Sequence, residues 1–421
     1  MTRQYAGSGN DSRRRVVVTG VGAVSPFGFG AAALLDGLDE GHSAIRHVPE
    51  LAGIKGLRCH IAGLVPPVDY ARIPRNQRRF MSRMSLFALL ACEEALAQAG
   101  LGPEAVGSGR LGLALGSTVG SPATYQDFFA DYLRDFSIER TRSTMFFKVM
   151  NHSCAANVAQ TLGIRGRMIA PCAACASSLQ SVGLGLEAIR SGRQDQMLCG
   201  GAEELHPLTV ATFDIIQAAS TNSNDRPTNA PRPFDLQRDG TVCSEGSGVL
   251  LLESLESARK RGVAVLAEAF GFATTTDSTS ISNPDSASIE ACMRDALEDA
   301  GLEPGQVEYV NAHATATISG DAAECEAIRR VCGDAVPVSC LKGHLGHALA
   351  ASGALECIGV IDMIGKERIL PTRNLDRIDP ACAGVRHLQE PCSWPGRIAL
   401  KNNFALGGVN ATLLLGRCLH D

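Results

Sequence analysis

The chain has 421 residues, of which 45% are hydrophobic and 20% are charged, a balance that excludes intrinsic disorder and supports a large core. Its 39 basic and 44 acidic residues give a net charge of −5, which disfavours a nucleic-acid-binding protein. The 15 cysteines are too dispersed for a secreted disulfide scaffold. The polar start has no apolar signal segment, and no apolar run reaches the ~18 residues of a membrane span, so we expect a reduced, soluble protein of the cytoplasm.

Strand and helix patterns alternate along the chain after a polar leader, residues 1–13, which is expected to be disordered. A β-branched run at 15–22 predicts a buried strand that ends in a glycine turn. The later predicted strands are 111–116, 196–201, 248–252, 263–272 and 307–311, and the predicted helices are 80–100, 288–301 and 321–331. This alternation predicts an α/β fold.

Two further predicted helices, 175–192 and 347–365, are both rich in small residues and apolar on nearly all sides. Helices of this kind are buried, and their small residues allow close approach to a neighbouring backbone. Their recurrence in the two halves indicates a duplicated architecture around a pseudo-twofold core. The polar, turn-rich stretch 221–240 is either a domain boundary or an ordered loop that borders an active site.

Cys175, at the predicted start of the first small-residue helix, is the first candidate for chemistry. A helix N-terminus favours the reactive thiolate, and its free N–H groups can hold an oxyanion. Cys175 also forms a C-x-x-C pair with Cys172, which leaves a redox or zinc site as alternatives. The plain alternative is a buried structural cysteine.

Two histidine-bearing stretches are the next candidates. His313 follows a predicted strand among small residues, and KGHLGH (342–347) opens the second small-residue helix. The positive end of the helix dipole lowers the imidazole pKa there and favours a neutral ring, which can donate to an enolate or oxyanion. The spacing of His344 and His347 could instead chelate a metal. The glycine turn at 402–410 is either a plain hairpin or a source of oxyanion-hole N–H groups.

Seven motifs, in this order and spacing, resemble the β-ketoacyl-[acyl carrier protein] synthases, the elongating condensing enzymes of fatty acid and type II polyketide synthesis. They are VVVTGVGAVSPFG, ACASS, GGAEEL, RPFDLQRDG, VNAHATAT, LKGHLGHALAASGALE and NNFALGGVN. The resemblance covers about residues 14–417. It implies a thiolase-like fold, in which two βαβαβαββ halves, here 14–258 and 259–417, form a five-layer α-β-α-β-α sandwich, and it implies an obligate dimer.

The same resemblance assigns roles to individual residues. The family's Cys-His-His centre corresponds to Cys175, His313 and His347, and its lysine corresponds to Lys342. The family's oxyanion hole uses backbone N–H groups that correspond to those of Cys175 and Leu406. The other implied positions are Thr315 and Thr317 for the pantetheine arm, Phe404 and Leu406 for substrate binding in the glycine loop, and Glu356 on the second buried helix.

The reaction implied by the resemblance is a decarboxylative Claisen condensation, the activity of a 3-oxoacyl-[acyl carrier protein] synthase. Cys175 takes an acyl group from the carrier, and His313 and His347 stabilise the enolate formed when malonyl-carrier thioester loses CO2. Lys342 is expected to tune this histidine pair. Neither a metal nor another cofactor is expected, since the phosphopantetheine of the carrier holds the substrates.

The chain departs from the family pattern around this centre. Ala314 and Ala316 stand where the family usually has glycine, and their methyl groups are expected to tighten the site. Leu406 replaces a common gating phenylalanine, which could alter how the acyl pocket opens. The GGAEEL, VPVSCLKGHLGH and NNFALGG sequences are nearer to synthases of specialised polyene pathways than to housekeeping ones.

The acyl carrier protein is expected to dock on a basic surface, because carrier proteins are acidic. One stretch contains Arg72, Arg75, Arg78, Arg79 and Arg83. Within it, Arg75, Arg78 and Arg79 are the predicted docking residues, with a solvated helix start as the alternative. The dimer is expected to be a homodimer, with a heterodimer containing a chain-length-factor-like subunit as the alternative. Cys175 disfavours a non-catalytic chain-length factor, and the histidine pair disfavours a thiolase.

Overall fold

The computed structural model describes residues 13–71 and 73–418. Its strands are β1 (Val16–Ser25), β2 (Gly28–Phe29), β3 (Ile45–His47), β4 (Ile61–Gly63), β5 (Leu111–Gly116), β6 (Met168–Ile169), β7 (Gln196–Glu203), β8 (Gly246–Ser254), β9 (Ala267–Thr276), β10 (Tyr309–Asn311), β11 (Pro337–Ser339), β12 (Arg368–Ile369), β13 (Arg386–His387), β14 (Cys392–Ser393), β15 (Ala399–Ala405) and β16 (Val409–Gly416). Its α-helices are α1 (Ala31–Asp39), α2 (Pro49–Ala52), α3 (Arg75–Arg78), α4 (Arg83–Gln98), α5 (Pro103–Val106), α6 (Pro122–Leu133), α7 (Ser143–Val149), α8 (Ser153–Leu162), α9 (Ser177–Arg190), α10 (Pro207–Ile215), α11 (Leu255–Arg261), α12 (Ser286–Ala300), α13 (Ile318–Cys332), α14 (Lys342–Leu345) and α15 (Ser352–Lys366). Of the leader expected at 1–13, residues 1–12 lie outside the described residues, and Arg13 forms a salt bridge with Asp299.

The first half of the chain contains the series β1-α4-β5-α8-β6-α9-β7-β8, which has the βαβαβαββ order implied by the resemblance. Its strands lie side by side in the order β6-β5-β7-β8-β1. Strand β5 runs parallel to β6 and β7, whereas the β7–β8 and β8–β1 pairs are antiparallel. The two parallel pairs require helical crossovers, and α8 and α9 supply them.

The second half repeats this unit as β9-α12-β10-α13-β11-α15-β15-β16, with the strand order β11-β10-β15-β16-β9. Parallel and antiparallel pairs recur at the same places. The two units join where β1 pairs with β9. The duplication indicated by the small-residue helices is therefore visible in strand order and direction, and the expected boundary between 258 and 259 falls within α11.

The helices and sheets form five layers. Helices α4 and α8 cover one outer face, α12 and α13 cover the other, and α9 and α15 pack against each other between the strands of the first half and those of the second, which belong to one continuous sheet. A Cβ on Gly353 of α15 would lie 2.9 Å from the Ser178 Oγ of α9, so small residues are needed at this contact. None of the helices in the described ranges has the length and apolar character that crossing a membrane requires.

The first predicted strand is correct in position but continues to Ser25, because its glycines lie within the strand and not in a turn. A Cβ on Gly20 would lie 2.2 Å from the carbonyl oxygen of Ala95, and one on Gly22 would lie 1.9 Å from that of Ala91. Both oxygens belong to α4. The glycines therefore allow this helix to pack directly on the strand backbone.

Both small-residue helices begin later than predicted. Cys175 lies in the 3₁₀ turn Ala174–Ala176 that precedes α9, and α15 follows the 3₁₀ turn Leu349–Ala351. Each turn begins with a residue in the left-handed region, with φ of 44° at Ala174 and 49° at Leu349. That conformation interrupts a helix, so the stretch 342–347 does not open α15.

Candidate active site

Cys175 is positioned where the chain leaves the edge of the first sheet and turns into the central helix layer. Its 3₁₀ turn follows β6 and leads directly into α9. A Cβ on Gly116, at the end of β5, would lie 2.6 Å from the Ser177 Cβ. Glycine at the strand end thus lets the turn approach the sheet closely, and Cys175 is left 5% exposed at the inner end of a cavity.

His347 faces this thiol from the second half of the chain. It lies between α14 and α15 in an extended segment that forms a β-bridge with Cys243. Its Nε2 is 2.9 Å from the Cys175 Sγ, and its Nδ1 is 2.9 Å from the Ser352 Oγ. A serine hydroxyl can donate or accept, so Nε2 can either take the thiol proton or donate to an oxyanion.

His313 lies on the loop after β10, close to the same point. Its ring centroid is 5.4 Å from that of His347, with the rings nearly perpendicular. Its Nδ1 is 3.3 Å from the Asn403 Nδ2, which also donates to the Cys175 carbonyl oxygen at 3.3 Å. Because an amide N–H donates to Nδ1, the ring proton must lie on Nε2. His313 is therefore set as a hydrogen-bond donor.

Carboxylates of α13 hold the His313 loop from behind. Glu324 accepts the backbone N–H groups of His313 and Ala314, at 2.8 and 2.7 Å. Asp321 accepts the N–H of Ala316 at 3.0 Å. Ala316 has a φ of 65°, a conformation that favours glycine, so the departure noted in the sequence places a strained alanine in this loop.

Burial decides the protonation of the centre. It raises the pKa of the Cys175 thiol to about 12. Burial, reinforced by the nearby charge of Lys342, holds the pKa of both His313 and His347 well below the usual range. The resting centre is therefore a neutral thiol beside two neutral imidazoles.

Burial, and not a helix dipole, sets the protonation of Cys175, His344 and His347. The position of Cys175 at a predicted helix N-terminus gave the opposite direction for the pKa of its thiol. The prediction of a lowered thiol pKa is wrong for the resting centre, because the thiol is desolvated in a short turn. The prediction of neutral imidazoles in the stretch 342–347 is confirmed for His344 and His347. The cause is burial and not the dipole of α14, which has only four residues.

Lys342 and Glu356 form a buried ion pair behind the histidines, with 2.6 Å between Nζ and Oε1. Burial opposes the charge on Lys342, but the Glu356 carboxylate outweighs it and raises the pKa of the lysine, which is therefore cationic. The structure thus brings together Cys175, His313 and His347, with Lys342 beside them. Their roles in chemistry stay predictions.

The four residues predicted to bind substrate line a cavity of about 400 Å³ that leads from the surface to Cys175; they are Thr315, Thr317, Phe404 and Leu406. The hydroxyls of the two threonines are 3.1 Å apart. Leu406 lies in the turn between β15 and β16 and is 38% exposed. Asp239 and Gly240 also line the cavity, so the stretch 221–240 is a loop bordering the site and not a boundary between domains.

Neither the Cys172–Cys175 pair nor the His344–His347 pair forms a metal or redox site in the structure. Cys172 and Cys175 are both free thiols, and Cys172 lies at the surface, where its Sγ accepts from Asn151. His344 points away from the centre, with its Nδ1 3.0 Å from the His42 carbonyl oxygen. The Cys175 Sγ and one ring nitrogen each of His313 and His347 lie within 4.8 Å of one another, whereas Cys172 and His344 stand outside this group, so neither predicted pair forms a site of its own.

Four residues that support the candidate catalytic side chains were not predicted from the sequence. They are Glu324, Ser352, Lys401 and Asn403. Asn403 belongs to the NNFALGGVN motif, but no role was predicted for it. Its place in a buried strand, two residues after a lysine, was the only indication of a function in the sequence. Ser352 lies 5 residues from His347, Glu324 lies 11 residues from His313, and Lys401 lies 45 residues from Glu356, and none of these separations marks a role in the sequence.

The predicted docking arginines are all at the surface. Arg75, Arg78 and Arg79 lie on or next to α3 and form no salt bridge with any described residue. Arg83 differs, because it pairs with the buried Glu245 at 2.5 Å and is structural. Arg72 lies outside the described residues.

Comparison with known proteins places this fold and centre in a family. The models for the N-terminal and C-terminal domains of beta-ketoacyl synthase match residues 13–258 and 266–376. The 3-oxoacyl-[acyl-carrier-protein] synthase 1 of Escherichia coli is 36% identical over 405 residues, 96% of this chain and 98% of that protein. The chain therefore belongs to the beta-ketoacyl synthase family, and the prediction of a condensing enzyme of this family is confirmed.

Solved structures agree with this assignment. A beta-ketoacyl synthase from Burkholderia phymatum STM815 has a TM-score of 0.93 and 39% identity, covering 96% of this chain and 100% of that one. The ishigamide ketosynthase/chain length factor has a TM-score of 0.90 and 31% identity, covering 97% and 100%. The thiolase-like fold implied by the sequence motifs is thereby confirmed.

Proposed function

We propose that the protein joins an acyl group held on Cys175 to the two-carbon unit of a malonyl-[acyl carrier protein], giving a 3-ketoacyl-carrier thioester and CO2. The 2.9 Å contact between Cys175 Sγ and His347 Nε2 carries this proposal. It lies at the end of a cavity that His313 also lines. A nucleophile, a base and a second hydrogen-bond donor therefore meet at one point.

The first half-reaction loads the thiol. As Sγ attacks the thioester carbonyl of an acyl carrier, His347 Nε2 accepts the thiol proton. The thiol and imidazole are both neutral at rest, so this transfer accompanies the attack. Backbone N–H groups of Cys175 and Leu406 would hold the tetrahedral oxyanion. The bond to the carrier sulfur then breaks, and the proton leaves on the carrier thiol.

The second half-reaction forms the carbon–carbon bond. The malonyl thioester binds with its carbonyl oxygen towards His313 Nε2–H and His347. The bond from C2 to the carboxylate breaks, CO2 leaves, and the electron pair becomes an enolate whose oxygen the two rings stabilise. C2 attacks the acyl-Cys175 carbonyl, the bond from that carbonyl to Sγ breaks, and the departing thiolate takes up one proton from solvent. The phosphopantetheine of the carrier is the single prosthetic group in this sequence, and no metal takes part.

An acyl carrier protein is the proposed partner in both half-reactions. Arg75, Arg78 and Arg79 form no salt bridge with any described residue; Arg78 donates to the Tyr70 carbonyl oxygen and Arg79 lies over the Phe80 ring. Such a cluster steers an acidic partner despite the net charge of −5. We place the carrier on this surface. The enzyme and its carrier are proposed to meet in the cytoplasm, which fractionation of the source cells would test.

A second chain of the same fold is the other proposed partner. Helices α6 and α7 and the turn between them expose an apolar surface, here called the aromatic face; its members are Tyr125, Phe129, Leu133, Phe136, Ile138, Phe146 and Phe147. Monomers rarely leave so large a patch uncovered. We propose a homodimer through this face. Light scattering of the purified protein tests it, and a chain that dimerises only with a chain-length-factor-like subunit would point to a heterodimer instead.

Intact-mass spectrometry tests the proposed reaction. The wild type is expected to gain one acyl group from acyl-carrier thioesters, and Cys175→Ala is expected to gain none. Cys172→Ala is the matched control, because it removes a free thiol three residues away and leaves loading intact. His313→Ala should load normally but release CO2 from malonyl-carrier at least a hundredfold more slowly. Loading of Cys175→Ala would refute the nucleophile.

A further inference from the structure

Lys401 is a fully buried cation that the proposed reaction does not use. It lies on β15, and its Nζ is 2.6 Å from the Glu356 Oε2. The other carboxylate oxygen of Glu356 is 2.6 Å from the Lys342 Nζ. One buried carboxylate is thus shared between two buried ammonium groups, so the triad of Lys342, Lys401 and Glu356 carries one net positive charge; Glu324 on α13 is the next carboxyl group to act on both lysines.

Such a triad is costly, because two buried ammonium groups lose hydration that one shared carboxylate, with the Asn402 carbonyl oxygen that accepts from Lys401, replaces only in part. A Met or Leu at position 401 would fit the apolar strand sequence at lower cost. Packing alone therefore does not explain the ammonium group of Lys401. The contacts of Asn402 and Asn403, which follow it on β15, indicate a role in the active site.

Three consecutive side chains of β15 hold three parts of the active site. Lys401 binds Glu356, which holds Lys342. Asn402 donates to Glu324, the carboxylate that fixes the His313 backbone. Asn403 contacts the His313 ring and the Cys175 carbonyl oxygen. Successive strand residues point to opposite faces, so β15 connects the nucleophile turn and α15 on one side to α13 on the other.

The charge of Lys401 also reaches both histidines. After burial and Lys342, Lys401 is among the causes that hold the pKa of His313 and of His347 low. The carboxyl groups around this centre are Glu356 on α15, Glu324 on α13 and Glu203 on β7. Burial raises the pKa of Glu324 and raises that of Glu203 to about 7, so Glu203 is only partly ionised at neutral pH. The thiols of Cys175 and Cys340 are neutral beside them, since burial raises the pKa of each to about 12.

We propose that Lys401 is a positioning residue of the condensing centre: its ammonium occupies the second oxygen of Glu356 and maintains the net positive charge behind His313 and His347. The rings then remain neutral donors down to acid pH. This inference rests on the proposed function, which gives neutral histidines their use. The effect of Lys401 on the pKa of His313 and His347 is nevertheless a property of the enzyme without substrate.

The test follows the two histidines directly, by NMR of protein labelled with ¹³C at histidine Cε1, with His313→Asn and His347→Asn variants to assign the signals. In the wild type neither ring should titrate above pH 5. In Lys401→Met both midpoints should rise by about one pH unit. Lys401→Met/Glu356→Gln leaves Lys342 as the lone cation and should return the midpoints to low pH.

Lys366→Met is the matched control, because it removes an exposed lysine at the end of α15 that pairs with Asp362. It should leave both histidine signals unchanged. Unchanged midpoints in folded Lys401→Met, or equal rises in Lys401→Met and in the double variant, would overturn the proposal. If Lys401→Met does not fold, Lys401→Gln is titrated in its place under the same criteria. Since no substrate is needed, shifted midpoints in an enzyme that fails to condense would refute only the proposed function.

Discussion

The tautomer of His313 can be reversed by a single atom exchange. In Asn403→Asp, the carboxylate can only accept, so the ring proton moves to Nδ1 and Nε2 loses its hydrogen. The enolate then loses one of its two donors. Removing one such donor costs about 3 kcal/mol of transition-state stabilisation, which corresponds to a 10²–10³-fold loss in the rate of CO2 release from malonyl-carrier.

The pH profile of this variant gives the sharper result. The new carboxylate raises the pKa of His313, and a protonated ring donates from both nitrogens. CO2 release by Asn403→Asp should therefore increase as the pH falls, while the wild type, with its lowered histidine pKa values, should gain nothing. Asn283→Asp, on the exposed rim of the same cavity, controls for added charge. If the rate of CO2 release falls by the same factor at every pH, the tautomer of His313 is not the cause. The loss would then come from disturbance of the Cys175 turn.

Three other predictions concern the loop, the surface and the core. Ala316→Gly should relieve the left-handed strain and raise the free energy of unfolding by up to about 1 kcal/mol in urea denaturation; a loss of stability would contradict it. Arg78→Glu/Arg79→Glu should raise KM for carrier-bound substrate about tenfold at low salt and leave coenzyme A thioesters unaffected, whereas equal KM values for both would exclude the surface. Gly22→Ala should cost about 3 kcal/mol by overpacking against α4, while Gly102→Ala, with open space around it, should cost far less.

Periodicity and glycine placement predicted the fold at the level of elements. The strand 111–116 and the helix pattern ending near Gly100 agree with β5 and α4. The predicted strand 263–272 is displaced to Ala267–Thr276, because the residues after α11 first complete its C-terminal turn. Helices α6 and α7 were not predicted at all. The apolar residues of α6, Tyr125, Phe128, Phe129, Tyr132 and Leu133, do follow helical spacing, so this helix could have been predicted from the sequence, although several of them are exposed.

The active site was harder to predict from the sequence than the fold, because the residues that support the catalytic side chains follow no local sequence pattern. Lys401 stands in the strand sequence ALKNNFA, where a lysine normally marks a solvent-facing position. Its partner Glu356 is 45 residues earlier, in the buried part of α15 from Ser352 to Ile361. Each ionised residue looks anomalous alone, and each is explained once the fold brings them together.

The duplication of the fold explains why the centre forms between the halves. The turn Ala174–Ala176 before α9 and the turn Leu349–Ala351 before α15 have the same 3₁₀ form and the same left-handed first residue. The residue that corresponds to Cys175 is therefore Ala350, which carries no reactive group. Because α9 and α15 pack side by side, both turns end at the same place. The first half of the chain supplies the Cys175 thiol at this place. The second half supplies no second nucleophile; it supplies His347, just before its own turn, and the two lysines that keep His347 neutral.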